Sequence, residues 1–168
     1  MLRFALILAA LFSAIPAQAS CEDIDYSIAG EFRRSDLVVL VSATGVTWLD
    51  DNRRPVKLKP PLSFGTMPGG LDPYLGAYYD VVLEKAYKGR PPRRFRIFSE
   101  NTTARTPLVM HKPLLLFVKR VRAADAYLQV GDLTVDYCGN SVRADGMPQR
   151  VRAVERLAAR HRKPRRKL

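Results

Sequence analysis

Cysteine and histidine are scarce in this chain of 168 residues, which contains only two of each. The cysteines, Cys21 and Cys138, are far apart, so the sequence has no C-x-x-C motif and no cluster with the spacing of a metal site. The histidines, His111 and His161, have no ligand partners near them in the sequence. We therefore predict neither a metal nor any other cofactor.

Catalytic motifs are also absent. The sequence has no Gly-x-Ser-x-Gly elbow, no phosphate-binding loop and no H-E-x-x-H motif. Acidic residues number 16 against 28 lysines and arginines, which gives a net charge of +12. Asp50 and Asp51 are typical of turns rather than of a cation site. We expect no catalytic residue and predict that the protein is not an enzyme.

The first 19 residues have the three parts of a secretory signal peptide. Arg3 supplies the positive charge, a short apolar run follows, and Ala17-Gln18-Ala19 is an A-x-A cleavage site. A membrane anchor is disfavoured because a spanning helix needs about twenty apolar residues. A lipoprotein with lipidated Cys21 is a further alternative, but Gln18 stands where such signals usually carry an aliphatic residue. We predict a mature start at Ser20 and export, either to a periplasm or as a secreted protein.

Export would place the two cysteines in a compartment where disulfides form. An even number in an oxidising compartment predicts a disulfide, and Cys21–Cys138 is the one pairing that the sequence allows. In the chain-entropy model, closing a loop of this length stabilises a fold by roughly 4–5 kcal/mol. Two free thiols, one of them buried, are the alternative. The sequence favours the disulfide.

Removal of the leader leaves 149 residues, enough for one domain with a single core. We assign residues 20–147 to this domain and residues 148–168 to a basic amphipathic helix followed by a tail that is expected to be disordered. The charge supports the division, because residues 143–168 contain 10 basic and 2 acidic residues. The protein is thus a mildly basic domain with a strongly basic C-terminal segment.

Apolar runs predict several strands in the domain. Residues 37–41, continuing towards Trp48, and residues 114–118 are continuous apolar runs, which is typical of strands buried on both faces. Residues 77–87 and 93–99 alternate around a Gly-Pro turn and predict a hairpin. Shorter strands are expected at 126–130 and 133–137. The breakers between Pro55 and Pro73 predict a long loop.

A helical period begins at Pro148, where four apolar residues recur on one face, and Pro164 is expected to end the helix. Five or six strands followed by one helix predict a mainly β fold, either a small closed barrel or a sandwich. Helices do not alternate with the strands, which argues against a parallel α/β sheet.

The order of these segments resembles a known family. An early cysteine is followed by YYDVVLEKAYKG (residues 78–89), RRFRIFS (93–99), KPLLLFV (112–118) and a late cysteine in CGNSV. This order is similar to that of the netrin-like (NTR) module shared with the tissue inhibitors of metalloproteinases (TIMP). The resemblance spans residues 21–142. It implies a closed five- to six-stranded OB-type barrel with packed helices.

The resemblance also implies functions. A netrin-like module of this kind would be a non-enzymatic binding domain that engages a protein partner in the cell envelope or outside the cell. A metalloprotease inhibitor is an alternative, because TIMP proteins bind the protease zinc through an N-terminal cysteine. Zinc binding of this kind would require Cys21 as the first residue, whereas Ser20 is expected to precede it.

Two basic surfaces are the candidate binding sites. The predicted hairpin presents arginines beside an aromatic ring, and OB barrels commonly bind ligands on such a strand face; these ligand-face candidates are Arg93, Arg94, Arg96 and Phe98. The C-terminal segment would bind an anionic membrane or lipopolysaccharide. Its cations are Arg150, Arg152, Arg156, Arg160, Arg162, Lys163, Arg165, Arg166 and Lys167. Alternatively these arginines simply face water, and export argues against nucleic acid as the partner.

Asn101-Thr102-Thr103 fits the pattern for N-glycosylation. It lies in a predicted loop, where the asparagine would be accessible. In a bacterial protein the match would be a coincidence, and the compact alanine-rich leader favours that interpretation.

Overall fold

A computed structural model describes residues 25–57, 74–101, 108–136 and 138–162. Within these ranges the chain forms seven strands and two helices. In chain order they are α1 (Ile28–Arg34), β1 (Leu37–Leu49), β2 (Pro55–Val56), β3 (Gly76–Lys88), β4 (Arg94–Glu100), β5 (Pro113–Arg120), β6 (Leu133–Val135), β7 (Val142–Arg143) and α2 (Pro148–Arg162).

The strands form one antiparallel sheet in the order β4-β3-β1-β5-β6. The short strands β2 and β7 pair with β1 and β5. The prediction of a mainly β fold with a C-terminal helix is confirmed, and so is the hairpin, which β3 and β4 form. Within the described residues the sheet is open, since no pairing joins β4 to β6.

Strands β1 and β5 lie in the middle of the sheet, and both faces of each are covered. On one face Val39 and Val41 pack in a cluster with Leu114 and Leu116. On the other face Val38 and Phe117 pack in a second cluster against the two helices. Neighbouring residues of a strand point to opposite faces, so a continuous apolar run suits a strand with two buried faces. The prediction for these two strands is confirmed.

Helix α2 is the predicted C-terminal helix. It begins at Pro148, and its buried stripe contains Val154 and Ala158, which are 0% and 4% exposed. Val151 and Leu157 are partly buried against the same cluster. The helical period in the sequence therefore identified the packed face correctly.

Helix α1 was not predicted, because seven residues are too few for a clear helical period. The Ser27 hydroxyl caps its first turn by accepting a hydrogen bond from the Gly30 N–H at 2.9 Å. At the other end the Lys88 ammonium donates to the carbonyls of Phe32, Arg33 and Ser35 at 2.6–2.9 Å. A cation from β3 thus satisfies carbonyls at the helix C-terminus that have no partner within the helix.

The prediction of a strand at residues 126–130 is wrong. Asp125 Oδ1 accepts hydrogen bonds from the N–H groups of Tyr127 and Leu128, which holds this segment in a turn. Tyr127 and Val130 are exposed there, at 42% and 67%. A side chain that bonds to the following backbone competes with strand pairing. The later segment, 133–137, does contain a strand, over Leu133–Val135.

Two further predictions concern loops. Of the expected loop at residues 55–73, Pro55–Val56 form β2, and residues 58–73 lie outside the described part of the chain. Asn101 is only 4% exposed, and its Nδ2 donates to the Tyr74 carbonyl at 2.7 Å. The expectation that this asparagine is accessible for glycosylation is therefore wrong in this fold.

Candidate functional site

The candidate site lies on the β3–β4 hairpin. The register places Asp80 opposite Arg96 and Val82 opposite Arg94. Residues directly opposite in a pair of strands share a face of the sheet, so these four side chains form one patch. Both arginines are exposed. The alternation of residues in β4 predicted correctly that Arg94 and Arg96 share one face of the strand.

A bulge in β1 completes the patch. The register of β1 against β3 shifts between Ala43 and Gly45, which leaves Thr44 as the extra residue. Its hydroxyl donates to the Asp80 carbonyl at 3.2 Å. Sequence analysis missed Thr44 and Asp80, because no local pattern reveals a bulge or the strand that faces it.

The resulting surface is concave and polar. Its cavity has a volume of about 550 Å³. Three apolar residues, Val81, Val82 and Phe95, line it together with the polar side chains from β1, β3 and β4 described above. We call the polar residues of this cavity the hairpin face: Thr44, Asp80, Arg94 and Arg96. Neither arginine forms an ion pair within the described part of the chain. Arg96 lies over the Tyr78 ring, with 4.8 Å from its Cζ to the ring centroid.

A buried polar network holds Tyr78 in place beneath Arg96. The Tyr78 hydroxyl donates to Asp132 Oδ1 at 2.7 Å, and the Arg53 guanidinium forms an ion pair with Asp132 Oδ2 at 2.9 Å. Burial, followed by the hydrogen bond to Asp132, raises the pKa of Tyr78 above its usual value. Tyr78 is therefore a neutral, fixed platform at ordinary pH, and cation–π contact orients Arg96 on it.

Arg53 enters this network from a tight turn. Its φ is +60°, and Asp50 Oδ1 accepts hydrogen bonds from the N–H groups of Asn52 and Arg54 in the same turn. Asp50 is thus a turn former, as its sequence context indicates. The Arg53 Cζ lies 4.4 Å from the centroid of the Phe98 ring.

Two of the four predicted ligand-face residues lie outside the hairpin face. Phe98 is 1% exposed and packs beneath Arg53, so its ring is not available to stack on a ligand. Arg93 is exposed in the turn before β4, and its carbonyl accepts from the Leu83 N–H at 2.8 Å. Its side chain does not line the cavity. Arg94 and Arg96 are the two candidates that the fold brings together.

A second concave surface is apolar. It is a groove of about 470 Å³ beside β5 and β7, and its lining includes two exposed apolar side chains, Val109 and Met147. The sequence contains no pattern that predicts it, since its residues come from four separate segments. Its chemistry does not suit an anionic ligand, in contrast to the hairpin face.

The cations of α2 whose side chains the structure describes divide into two groups. Arg152, Arg156 and Arg160 are exposed and spaced by four residues, so they form one stripe opposite the buried Val154 and Ala158. Arg150 is half-buried and donates to the Asn140 carbonyl at 3.2 Å. The side chain of Arg162 and residues 163–168, including Lys163, Arg165, Arg166 and Lys167, lie outside the described residues.

Cys138 lies in a turn between β6 and β7, where its N–H donates to Asp136 Oδ1 at 3.0 Å. Its proposed partner Cys21 lies outside the described residues, as does the predicted leader.

The described part of the chain contains no group of three or more histidine, cysteine or acidic residues placed to hold a metal ion. Among the same residues no helix is long and apolar enough to cross a membrane. A scan against protein-family models and a search of curated proteins find no match to this chain.

Proposed function

We propose that this protein is an exported, non-enzymatic binding module of the netrin/TIMP-like type that engages an acidic protein partner through the hairpin face. The observation that carries the proposal is the pair of exposed arginines, Arg94 and Arg96, which line one cavity and form no ion pair with any acidic residue that the structure describes. Arginine suits this task because its planar guanidinium binds a carboxylate through two hydrogen bonds. Asp80 beside them would accept a hydrogen bond from a donor of the same partner.

The closed OB-type barrel of this family is part of the proposal. Support comes from the network around Asp132, which directly precedes β6. Hydrogen bonds from Arg53 and Tyr78 to its carboxylate tie the β2 and β3 side of the sheet to the β6 side. Such side-chain bridges would hold the two ends of a curled sheet near each other.

An oligoglutamate peptide serves as a probe for the hairpin face. We expect the double variant Arg94→Gln/Arg96→Gln to weaken binding of a fluorescent oligoglutamate about tenfold or more, because each charged hydrogen bond contributes roughly 1.5–3 kcal/mol at best. The measurement is fluorescence anisotropy at fixed ionic strength. The matched control is Arg152→Gln/Arg156→Gln, which removes the same charge from α2 and should leave the affinity unchanged. Equal weakening by both variants would mean that the net charge of the protein, and not the hairpin face, explains the binding.

The alternative function is binding to an anionic envelope surface through α2. The stripe of Arg152, Arg156 and Arg160 favours it, because packing of the opposite face fixes all three towards solvent. Near an anionic membrane each arginine contributes roughly 1 kcal/mol, and salt screens the attraction.

Vesicles that contain phosphatidylglycerol test this alternative. We expect the triple variant Arg152→Gln/Arg156→Gln/Arg160→Gln to lower vesicle binding by roughly a hundredfold in low salt, as three lost contacts of this strength imply. Co-sedimentation measures it, with the Arg94→Gln/Arg96→Gln variant as control. Deletion of residues 148–168 would be a poor test, because it removes the buried Val154 and Ala158 from the core. Undiminished binding by the triple variant in high salt would contradict this function.

One measurement tests three expectations, namely the leader, the Cys21–Cys138 disulfide and the inhibitor alternative. It is the intact mass of the exported protein, determined with and without reduction and alkylation. A start at Ser20 with one disulfide supports the binding-module proposal and opposes zinc-binding inhibition through Cys21. A start at free Cys21 would favour the inhibitor, and a lipid-modified Cys21 would favour a lipoprotein.

A further inference from the structure

Strand β4 is the last strand on one side of the sheet, and two hydrogen bonds show which of its backbone groups face outward. The Leu83 N–H donates to the Arg93 carbonyl at 2.8 Å, and the Asn101 N–H donates to the Leu75 carbonyl at 2.9 Å. These bonds flank the β3–β4 pairing, whose register is unbroken between them. In an antiparallel pair the bonded residues recur at every second position. The odd-numbered residues of β4 therefore bond to β3, and the even-numbered ones turn their N–H and C=O groups away from it.

The outward-facing backbone of Arg94 and Arg96 has no strand beside it within the described residues. Its N–H and C=O groups form no hydrogen bond with a described loop or turn either. Pro92 limits this open edge at one end, because proline has no N–H. At the other end the start of β6 lies against the hairpin, since Asp132 accepts a hydrogen bond from the Tyr78 hydroxyl. The open edge is thus short and presents two backbone donors and two acceptors.

The side chains of this edge are cationic on one face of the sheet and aromatic on the other. Arg94 and Arg96 are exposed and form no ion pair with a described acidic residue. Asp80, which lies opposite Arg96, leans towards β1 instead, because its Oδ2 would lie 3.0 Å from a Cβ on Gly45. Phe95 points to the other face and is partly buried against the core cluster. A complementary strand therefore needs two acidic residues with an apolar residue between them.

The same charge excludes a second copy of this chain as the neighbouring strand. Two copies of β4 paired edge to edge would bring their arginines onto one face, and like charges directly opposite destabilise a pair of strands. Charged side chains on an edge strand commonly prevent such self-association. An acidic segment meets no such repulsion, and each arginine can bind a carboxylate through two hydrogen bonds.

We propose that the partner presents an extended segment with the pattern acidic–apolar–acidic, which adds to β4 as an antiparallel strand. This inference rests on the proposed function, because it names the form in which the acidic partner meets the hairpin face. The backbone of the segment would form two hydrogen bonds with Arg94 and two with Arg96. Residues directly opposite in such a pair have Cβ atoms about 4.5–5.5 Å apart, which brings each carboxylate within reach of an arginine. Backbone bonds would give the affinity, and the alternation of side chains would give the specificity.

Peptides with methylated amide nitrogens test the backbone bonds without a change of charge. The probe is a short fluorescent peptide in which glutamates and valines alternate, and fluorescence anisotropy measures its affinity. In the proposed register the N–H groups of its glutamates point at β4, whereas those of its valines point at solvent. We expect methylation of the glutamate nitrogens to weaken binding about tenfold or more, since it removes a backbone hydrogen bond at each arginine. Methylation of the valine nitrogens is the matched control and should leave the affinity unchanged.

Hydrogen exchange of the protein amides, followed by NMR, gives a second readout. In the free protein the amides of Arg94 and Arg96 should exchange rapidly, whereas those of Phe95 and Ile97, which bond to β3, should be protected. The unmethylated peptide should slow exchange at Arg94 and Arg96 about tenfold or more, because these amides would then exchange only when the added strand opens. Binding through the guanidinium groups alone would leave both rates unchanged and would contradict the inference.

Three further results would each overturn the inference. One is equal affinity of both methylated peptides and the unmethylated one, which would mean that side chains alone hold the acidic partner. Another is equal weakening by the two methylation patterns, which would exclude the proposed register. The third is a dimer of the free protein in sedimentation velocity whose Arg94 and Arg96 amides are already protected, because a second copy would then occupy the edge.

Failure of this inference differs from failure of the proposed function. If the double variant Arg94→Gln/Arg96→Gln weakens peptide binding but the methylation pattern has no effect, the hairpin face still binds the acidic partner and only the added strand is excluded. If the double variant binds the peptide as well as the unchanged protein does, the proposed function itself is overturned, and this inference with it.

Discussion

The variant Asp132→Ala should lose about 3–5 kcal/mol of the free energy of unfolding, the range measured when one partner of a buried ion pair is removed. The side chains of Asp132 and Arg53 are 7% and 12% exposed, so Arg53 would remain buried with its charge uncompensated. The Tyr78 hydroxyl and the Gln129 N–H would lose their acceptors as well. Urea denaturation followed by circular dichroism measures the change.

Two controls separate this effect from a general loss of charge. Asp145→Ala removes an exposed carboxylate that binds Arg143 at 2.7 Å, and the urea midpoint should stay where it is. The double variant Arg53→Met/Asp132→Ala should be more stable than the sum of the two single losses implies, because the pair is removed together. Strict additivity of the two losses would contradict the coupling that the network predicts.

The variant Val154→Asp should lower the free energy of unfolding by roughly 3 kcal/mol or more, because it places a carboxylate in an apolar cluster without a partner. Val154 is 0% exposed and packs in the cluster that contains Phe32, Leu115 and Phe117. The loss would appear as a lower urea midpoint.

The matched control is Ala159→Asp, which adds the same charge to the exposed side of the same helix. Its stability should stay near that of the unchanged protein. If both variants lost the same amount, charge on α2 rather than its packing would explain the result, and α2 would not be part of the core. This comparison also decides whether the arginine stripe is held at a fixed orientation, as membrane binding requires.

Local patterns in the sequence determined most of the sheet. Residues of β1 and β5 are apolar at successive positions, and this is sufficient to predict strands that are buried on both faces. The turn at residues 88–92 between two alternating segments predicts the hairpin, and the helical period predicts the buried face of α2. In each case the information lies within about a dozen neighbouring residues, which is the range over which side-chain periodicity acts.

The tertiary structure alone decided which polar residues meet. Arg53 and Asp132 are 79 residues apart in the chain, and Glu31 and Asn140 are 109 residues apart. Neither pair has a local signature, because a side chain finds such a partner only after the strands and helices have packed. The bulge at Thr44 and the burial of Phe98 follow from the register between strands in the same way. Sequence periodicity thus determined which segments form the core, whereas long-range packing decided the hairpin face and the contact between Glu31 and Asn140.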